Sequence, residues 1–91
     1  MDVRNNEQLS RYELVDDDRV VGIADYFIRD ETVVLPHTEI AQELRGRGLG
    51  AVLVRGALED VRRSGRTVVP ACWFVAEFID AHPEYRDMLV A

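Results

Sequence analysis

Apolar positions along the chain keep two rhythms in turn, and the change between them sets its organisation. Residues 8–15, Gln-Leu-Ser-Arg-Tyr-Glu-Leu-Val, alternate loosely, with Tyr12 and Leu14 on one face, which predicts a strand. Asp16-Asp17-Asp18 reads as a turn, because aspartate hydrogen-bonds its own backbone. Arg19 to Arg29 predicts a second strand with Val20, Ala24, Tyr26 and Ile28 on one face, and Gly22 among them weakens it or marks a bulge. After the Asp30-Glu31 turn, a third strand runs from Thr32 to Ala41. Pro36, which has no backbone donor, places an edge or a bulge within it. The period then becomes helical. Leu49, Val52, Leu53, Ala57 and Val61 share a face of a helix predicted from about Gly48 to Ser64, with Arg55, Glu59 and Arg63 as an i, i+4 ladder on its wet side. Gly65 is placed to end it as a left-handed cap.

Residues 66–72 are a short β-branched run, and a strand following a crossover helix lies parallel to the strand before it. Trp73 to His82 has helical spacing, with Phe74, Phe78 and His82 on one face and Val75 and Ile79 beside it. Pro83 stops that helix, and Pro83-Glu84-Tyr85 opens a last turn expected to bury Met88 and Leu89. The fold class is α/β with a mixed sheet: an antiparallel three-strand meander, a helix, a parallel strand and a C-terminal helix. The expectation is a single domain over residues 1–91, its core at about 8–90.

Composition narrows the function. A chain of 91 residues with 47% hydrophobic content reads as globular. No run approaches a membrane-spanning length, and Met-Asp-Val-Arg-Asn-Asn lacks the apolar core of a signal peptide, so a cytoplasmic, non-membrane protein is expected. One cysteine and two separated histidines argue against a disulfide or a structural metal. Residues 1–44 hold 4 Arg against 11 acidic residues, whereas residues 45–91 hold 7 Arg against 6. The acidic front half would repel nucleic acid and weakly favours a cationic partner. All 11 basic residues are Arg, which excludes a Schiff-base or phosphate-binding lysine.

The junction of the two rhythms is Glu43-Leu44-Arg45-Gly46-Arg47-Gly48-Leu49-Gly50. A strand, a glycine-rich turn and a helix start together build an anion cradle, because glycines let backbone approach and the first helical N–H groups lack partners. The helix dipole adds positive potential, and Arg45 and Arg47 add full charges. A Walker loop requires lysine, and the dinucleotide fingerprint needs glycines at first, third and sixth positions, whereas Gly46, Gly48 and Gly50 fall at first, third and fifth. Both are excluded.

The pattern Arg45-Gly46-Arg47-Gly48-Leu49-Gly50 resembles the acyl-CoA pyrophosphate loop of the GNAT acetyltransferase superfamily. His37-Thr38-Glu39, Pro70-Ala71-Cys72 and His82-Pro83-Glu84-Tyr85, in that order, look like a small single-domain branch of that superfamily. Trp73 departs from that branch, where a small residue or proline is common beside the pocket. There is also no room for the N-terminal helices that help form the acceptor site in larger members, so that side should be open or completed by a partner. The resemblance implies acetyl-CoA as co-substrate, with coenzyme A contacts carried onto Leu44, Arg45, Gly46, Arg47, Gly48, Leu49, Gly50 and Tyr85. The pantetheine arm would lie between the splayed strands and pair near Ile40 and Ala41.

Candidate chemistry gathers at three residues. Cys72 stands at a strand end and a helix start, where the dipole favours a thiolate, and reads either as an acetylated nucleophile or as a small buried apolar residue. His37 and Glu39 share one face of a strand and read either as a general base for an acceptor amine or as a surface pair. His82 caps or packs a helix end, and Tyr85 donates a proton or anchors the last turn. Trp73 and the Phe74/Phe78 stripe read as core or as a wall of the acyl channel. The leading function is acetyl transfer from acetyl-CoA to an amine, directly or through a Cys72 thioester, by a monomer or weak homodimer. The alternatives are a CoA-binding module without turnover and a protein-interaction domain whose glycine loop is merely structural.

Overall fold

The computed structural model describes residues 1–90. Five strands, β1 (Asp2–Asn6), β2 (Arg11–Asp16), β3 (Arg19–Arg29), β4 (Thr32–Ile40) and β5 (Thr67–Val69), pair in sequence order to form one sheet. The first four make antiparallel pairs, and β5 lies parallel to β4 after the crossover helix α1 (Leu49–Arg63). Helix α2 (Trp73–Ala81) and a 3₁₀ segment, Pro83–Met88, follow β5. The α/β class, the mixed sheet and the parallel last strand match the expectation, but the meander has four strands rather than three. The extra strand, β1, has Val3 as its one β-branched apolar residue, so its sequence lacks a strand signal. It is an edge strand, held by its ladder to β2 and by Val3 lying against Gly56 of α1.

Two bulges set which side chains face the core. Leu14 pairs with Gly22 but Val15 pairs with Val20, so Val21 is the extra residue on β3. The bulge turns Val21 inward and leaves Val20 exposed, and Ile28 is exposed at the far strand end, so neither Val20 nor Ile28 joins Ala24 and Tyr26 in the core. The second bulge sits at Leu35-Pro36, opposite Tyr26, where proline needs no ladder partner. On α1 the buried stripe is Leu53, Val54, Ala57, Leu58 and Val61, while Val52, expected inside, is 44% exposed. The expected Arg55/Glu59/Arg63 ladder is absent. Arg55 and Glu59 both bind the Tyr85 hydroxyl, at 3.0 and 2.7 Å, and Arg63 pairs with Asp60. Met88 is buried but Leu89 is 37% exposed, because it bridges to Val68 at the sheet edge beyond the last turn.

Both helices pack on the sheet side that carries Leu14, Ala24 and Leu35; Arg55 of α1 lies over the Phe78 ring of α2 at 5.5 Å. The other side carries cross-strand rows with polar members, Arg4–Glu13–Ile23–Glu39 and Asn6–Arg11–Asp25–His37. Among the described residues no helix is long and apolar enough to cross a membrane.

Candidate functional site

Strands β4 and β5 pair only from Thr32–Thr67 to Val34–Val69. Beyond that point the Cys72 N–H still donates to Leu35 O at 2.9 Å, and then the two segments part. The gap opens into a cleft of about 640 Å³ that holds residues from β4, the glycine loop and the start of α2. His37, Glu39, Ile40, Leu44, Arg45, Gly46, Gly48, Leu49, Gly50 and Cys72 all line it, as do Thr38 and Trp73, which were not singled out as binding or catalytic groups. The size suits a small-molecule ligand.

The floor is the glycine loop. After a 3₁₀ turn at Gln42–Leu44, Gly46 (φ +82°) and Gly48 (φ +76°) adopt left-handed backbone that a side chain would strain. Gly48 caps α1 without a side chain, and the first turn carries no acidic residue. The Leu49, Gly50 and Ala51 amides therefore remain as N-terminal donors, because the first intrahelical bond runs from Val52 N to Gly48 O at 3.4 Å. Gly50 serves a different purpose: a Cβ there would meet Phe74 Cζ at 2.8 Å, so this glycine lets α2 lie against the start of α1. Arg45 folds back, its Nε donating to Ile40 O at 3.1 Å, which holds a guanidinium at the lip of the cleft.

The walls differ in chemistry. His37 pairs with Asp25 and Glu39 with Ile23 on the polar side of the sheet, and His37 Nε2 lies 3.5 Å from Glu39 Oε1. Thr38 pairs with buried Ala24 and so faces the helix side, where Cys72 also sits. Cys72 is the N-cap of α2. Burial opposes its ionisation, but the backbone N–H of Val75, the Thr38 side chain and the backbone N–H groups of Phe74 and Thr38 outweigh it, so the thiol titrates below the ordinary cysteine value. Trp73, expected in the core or as a channel wall, is 71% exposed and stands edge-on to Phe74 at the mouth.

Three residues named from the sequence are not brought to the cleft. The Ala41 N–H donates to Val21 O at 2.8 Å, and its side chain borders a separate depression beside Gly22. By alternation along β4, the backbone groups of Thr38 and Ile40, and not those of Ala41, face the gap. Arg47 projects into solvent from the loop and makes no ion pair among the described residues. Tyr85 is buried beneath α1, its hydroxyl held by Glu59 and Arg55. His82, at the end of α2, stacks on Phe78 at 4.0 Å, its Nδ1 2.7 Å from Phe78 O.

A family model described as GCN5-related N-acetyl-transferase matches residues 11–88. Protein NATD1 of Danio rerio is 28% identical over 80% of this chain and 67% of its own length. Protein NATD1 of Bos taurus is 32% identical over 72% of this chain and 58% of its own, so the chain spans about three fifths of that relative. A GCN5-like protein of Staphylococcus aureus, solved by NMR, superimposes with a TM-score of 0.72 at 20% identity, over 99% of this chain and 88% of that one. The ribosomal-protein-S18-alanine N-acetyltransferase of Escherichia coli gives a TM-score of 0.64 at 13% identity, over 78% of this chain and 49% of that one.

Proposed function

The chain belongs to the GCN5-related N-acetyltransferase family, and from that premise we propose that it transfers an acetyl group from acetyl-CoA to an amine. The observation that carries this reading is the cleft where β4 and β5 part, with an uncapped helix start at its floor and Cys72, His37 and Glu39 in its walls. The amides of Leu49 to Ala51 and the Arg45 guanidinium at the lip receive the pyrophosphate. The pantetheine arm extends along the gap-facing backbone of Thr38 and Ile40, replacing the pairing that β5 does not supply.

The acetyl carbon then lies near Cys72. Its thiolate attacks that carbon, the bond to the coenzyme A sulfur breaks, and coenzyme A leaves as a thiolate that takes a proton from water. The amine approaches from the polar side of the sheet, attacks the Cys72 thioester and expels the cysteine thiolate. Its excess proton passes to His37 or Glu39, directly or through water. The rows on that face bring Asp25 beside His37, which suits an acceptor that arrives as a cation.

Calorimetric titration with acetyl-CoA, with dephospho-CoA and ATP as controls, tests the first half. Saturable binding near one equivalent is expected, and Arg45→Ala should weaken it about tenfold, as for loss of one charge-assisted phosphate contact, while Arg47→Ala, outside the cleft, should weaken it less. Cys72→Ser should retain binding and abolish transfer to amines. Transfer at an unchanged rate would remove the thioester route, and no binding at all would leave the glycine loop as structure only.

A further inference from the structure

We propose that Thr38 is the positioning residue for Cys72, its hydroxyl held in reserve as the donor for the cysteine thiolate. Two geometric facts support this. Thr38 Oγ1 is buried and has no hydrogen-bond partner, which is uncommon for an interior hydroxyl and calls for a reason. Thr38 also lines the cleft that Cys72 lines, on the strand whose Leu35 O accepts the Cys72 N–H, and faces the same side of the sheet, because its cross-strand partner is the buried Ala24.

A neutral thiol is a weak acceptor, and a buried hydroxyl gains little from it. A thiolate is a full charge that rewards every donor within reach. When the Cys72 proton leaves to water, the Thr38 hydroxyl turns its hydrogen to the sulfur and adds to the grip of the α2 amides. The unpartnered hydroxyl is thereby explained as a group whose acceptor exists only in the reactive state. The charged groups along the same cleft are His37 and Glu39 on β4 and Arg45 in the loop, and the first turn of α2 has no acidic residue. These stay in place when Thr38 is changed, so their influence on Cys72 is common to all variants.

This inference rests on Cys72 as the reactive group of the proposed function, but its test needs no acetyl-CoA. Cys72 is the only cysteine in the chain, so the rate of alkylation by iodoacetamide against pH reports its thiolate alone. The midpoint should rise by about one pH unit in Thr38→Val, which keeps shape but removes the donor, and stay near the native value in Thr38→Ser. Thr38→Ala, free of any new methyl contact, should shift with Thr38→Val. Equal midpoints in all four proteins would overturn the proposal, as would a Thr38→Ser midpoint that moves with Thr38→Val. A chain that shows the shift yet binds no acetyl-CoA would sink the proposed function and leave the role of Thr38 standing.

Discussion

Two buried polar side chains show how much of the stability of the fold is electrostatic at single positions. Glu13 is 4% exposed, and its carboxylate receives Arg11 Nε at 2.9 Å and Asn6 Nδ2 at 3.1 Å, with Arg4 Nε at 3.6 Å. The Arg11 hydrogen bond leads in holding its titration below the ordinary carboxylate value, against a smaller opposing effect of burial. A carboxylate depressed on folding contributes stability above its unfolded value, near 4.5, and that contribution is lost as pH falls through the folded value. Thermal melts should therefore show stability falling below about pH 4.5, and Glu13→Gln should flatten that acid slope while costing about 1–3 kcal/mol at neutral pH. Parallel slopes in the two proteins would refute it. Tyr85 poses the opposite question. It is 1% exposed, and burial, helped by Glu59, keeps it a phenol. Tyr85→Phe should cost about 1–2 kcal/mol in denaturant unfolding and leave acetyl-CoA affinity within twofold, because the hydroxyl serves α1 and not the cleft. A large loss of affinity would return Tyr85 to the coenzyme A contacts.

At the scale of elements, close approach between backbones decides which replacements the fold accepts. A Cβ at Gly56 would meet Val3 Cβ and Cγ2 at 2.6 Å, so α1 and β1 fit only because this helix position is bare. Gly56→Ala gains about 1 kcal/mol of helix propensity and loses about 1–3 kcal/mol to overpacking, so the net should be a loss of roughly 1 kcal/mol. Because β1 is an edge strand, the strain should appear there first, as faster amide exchange at Val3 to Asn5 with β3 unchanged. Uniform exchange across the sheet would contradict this. The same elements show what the sequence makes legible. The strand–loop–helix run from Thr32 to Arg63 is readable because its signals are local: β-branched residues, three glycines, then 3.6-residue spacing. β1 is hidden because part of what holds it, Val3 against Gly56, is distant in sequence. Val20 misleads because a bulge turns Val21 inward instead, and Val52 because the buried stripe of α1 runs through Leu53, Val54, Ala57, Leu58 and Val61. Cys72, His37 and Glu39 are named from motif blocks and all line the cleft, whereas Thr38, in the same block as His37, carries no local signal beyond that of a strand threonine until the fold brings it to the cleft that Cys72 lines. Of the two readings of Trp73, its place in an apolar run suggests core, which its exposure overturns, while its position in the cleft lining fits the wall.

On the scale of the whole molecule, the sheet is unfinished where its function is proposed to lie. β4 continues to Ile40, but β5 ends at Val69, so the backbone groups of Thr38 and Ile40 face a gap instead of a strand. A ligand that pairs with that edge completes the sheet, and its binding free energy becomes folding stability. At a hundredfold excess over its dissociation constant, acetyl-CoA should add about 2.7 kcal/mol, which in a domain of this size corresponds to a rise in Tm of roughly 10–20 °C. The protection should also be local. Amide exchange should slow at Thr38 and Ile40, at Leu49 to Ala51 and around Cys72, while β1 and β2, remote from the cleft, stay as they were. If the anion end is held by Arg45 at the exposed lip, raising salt from about 0.1 to about 1 M, which shortens the Debye length from roughly 10 to roughly 3 Å, should weaken binding without moving the protected positions. Protection at the glycine loop without slowing at Thr38 and Ile40 would mean that the molecule captures only the phosphate end. The open edge between β4 and β5 would then be an opening that the pantetheine arm does not fill.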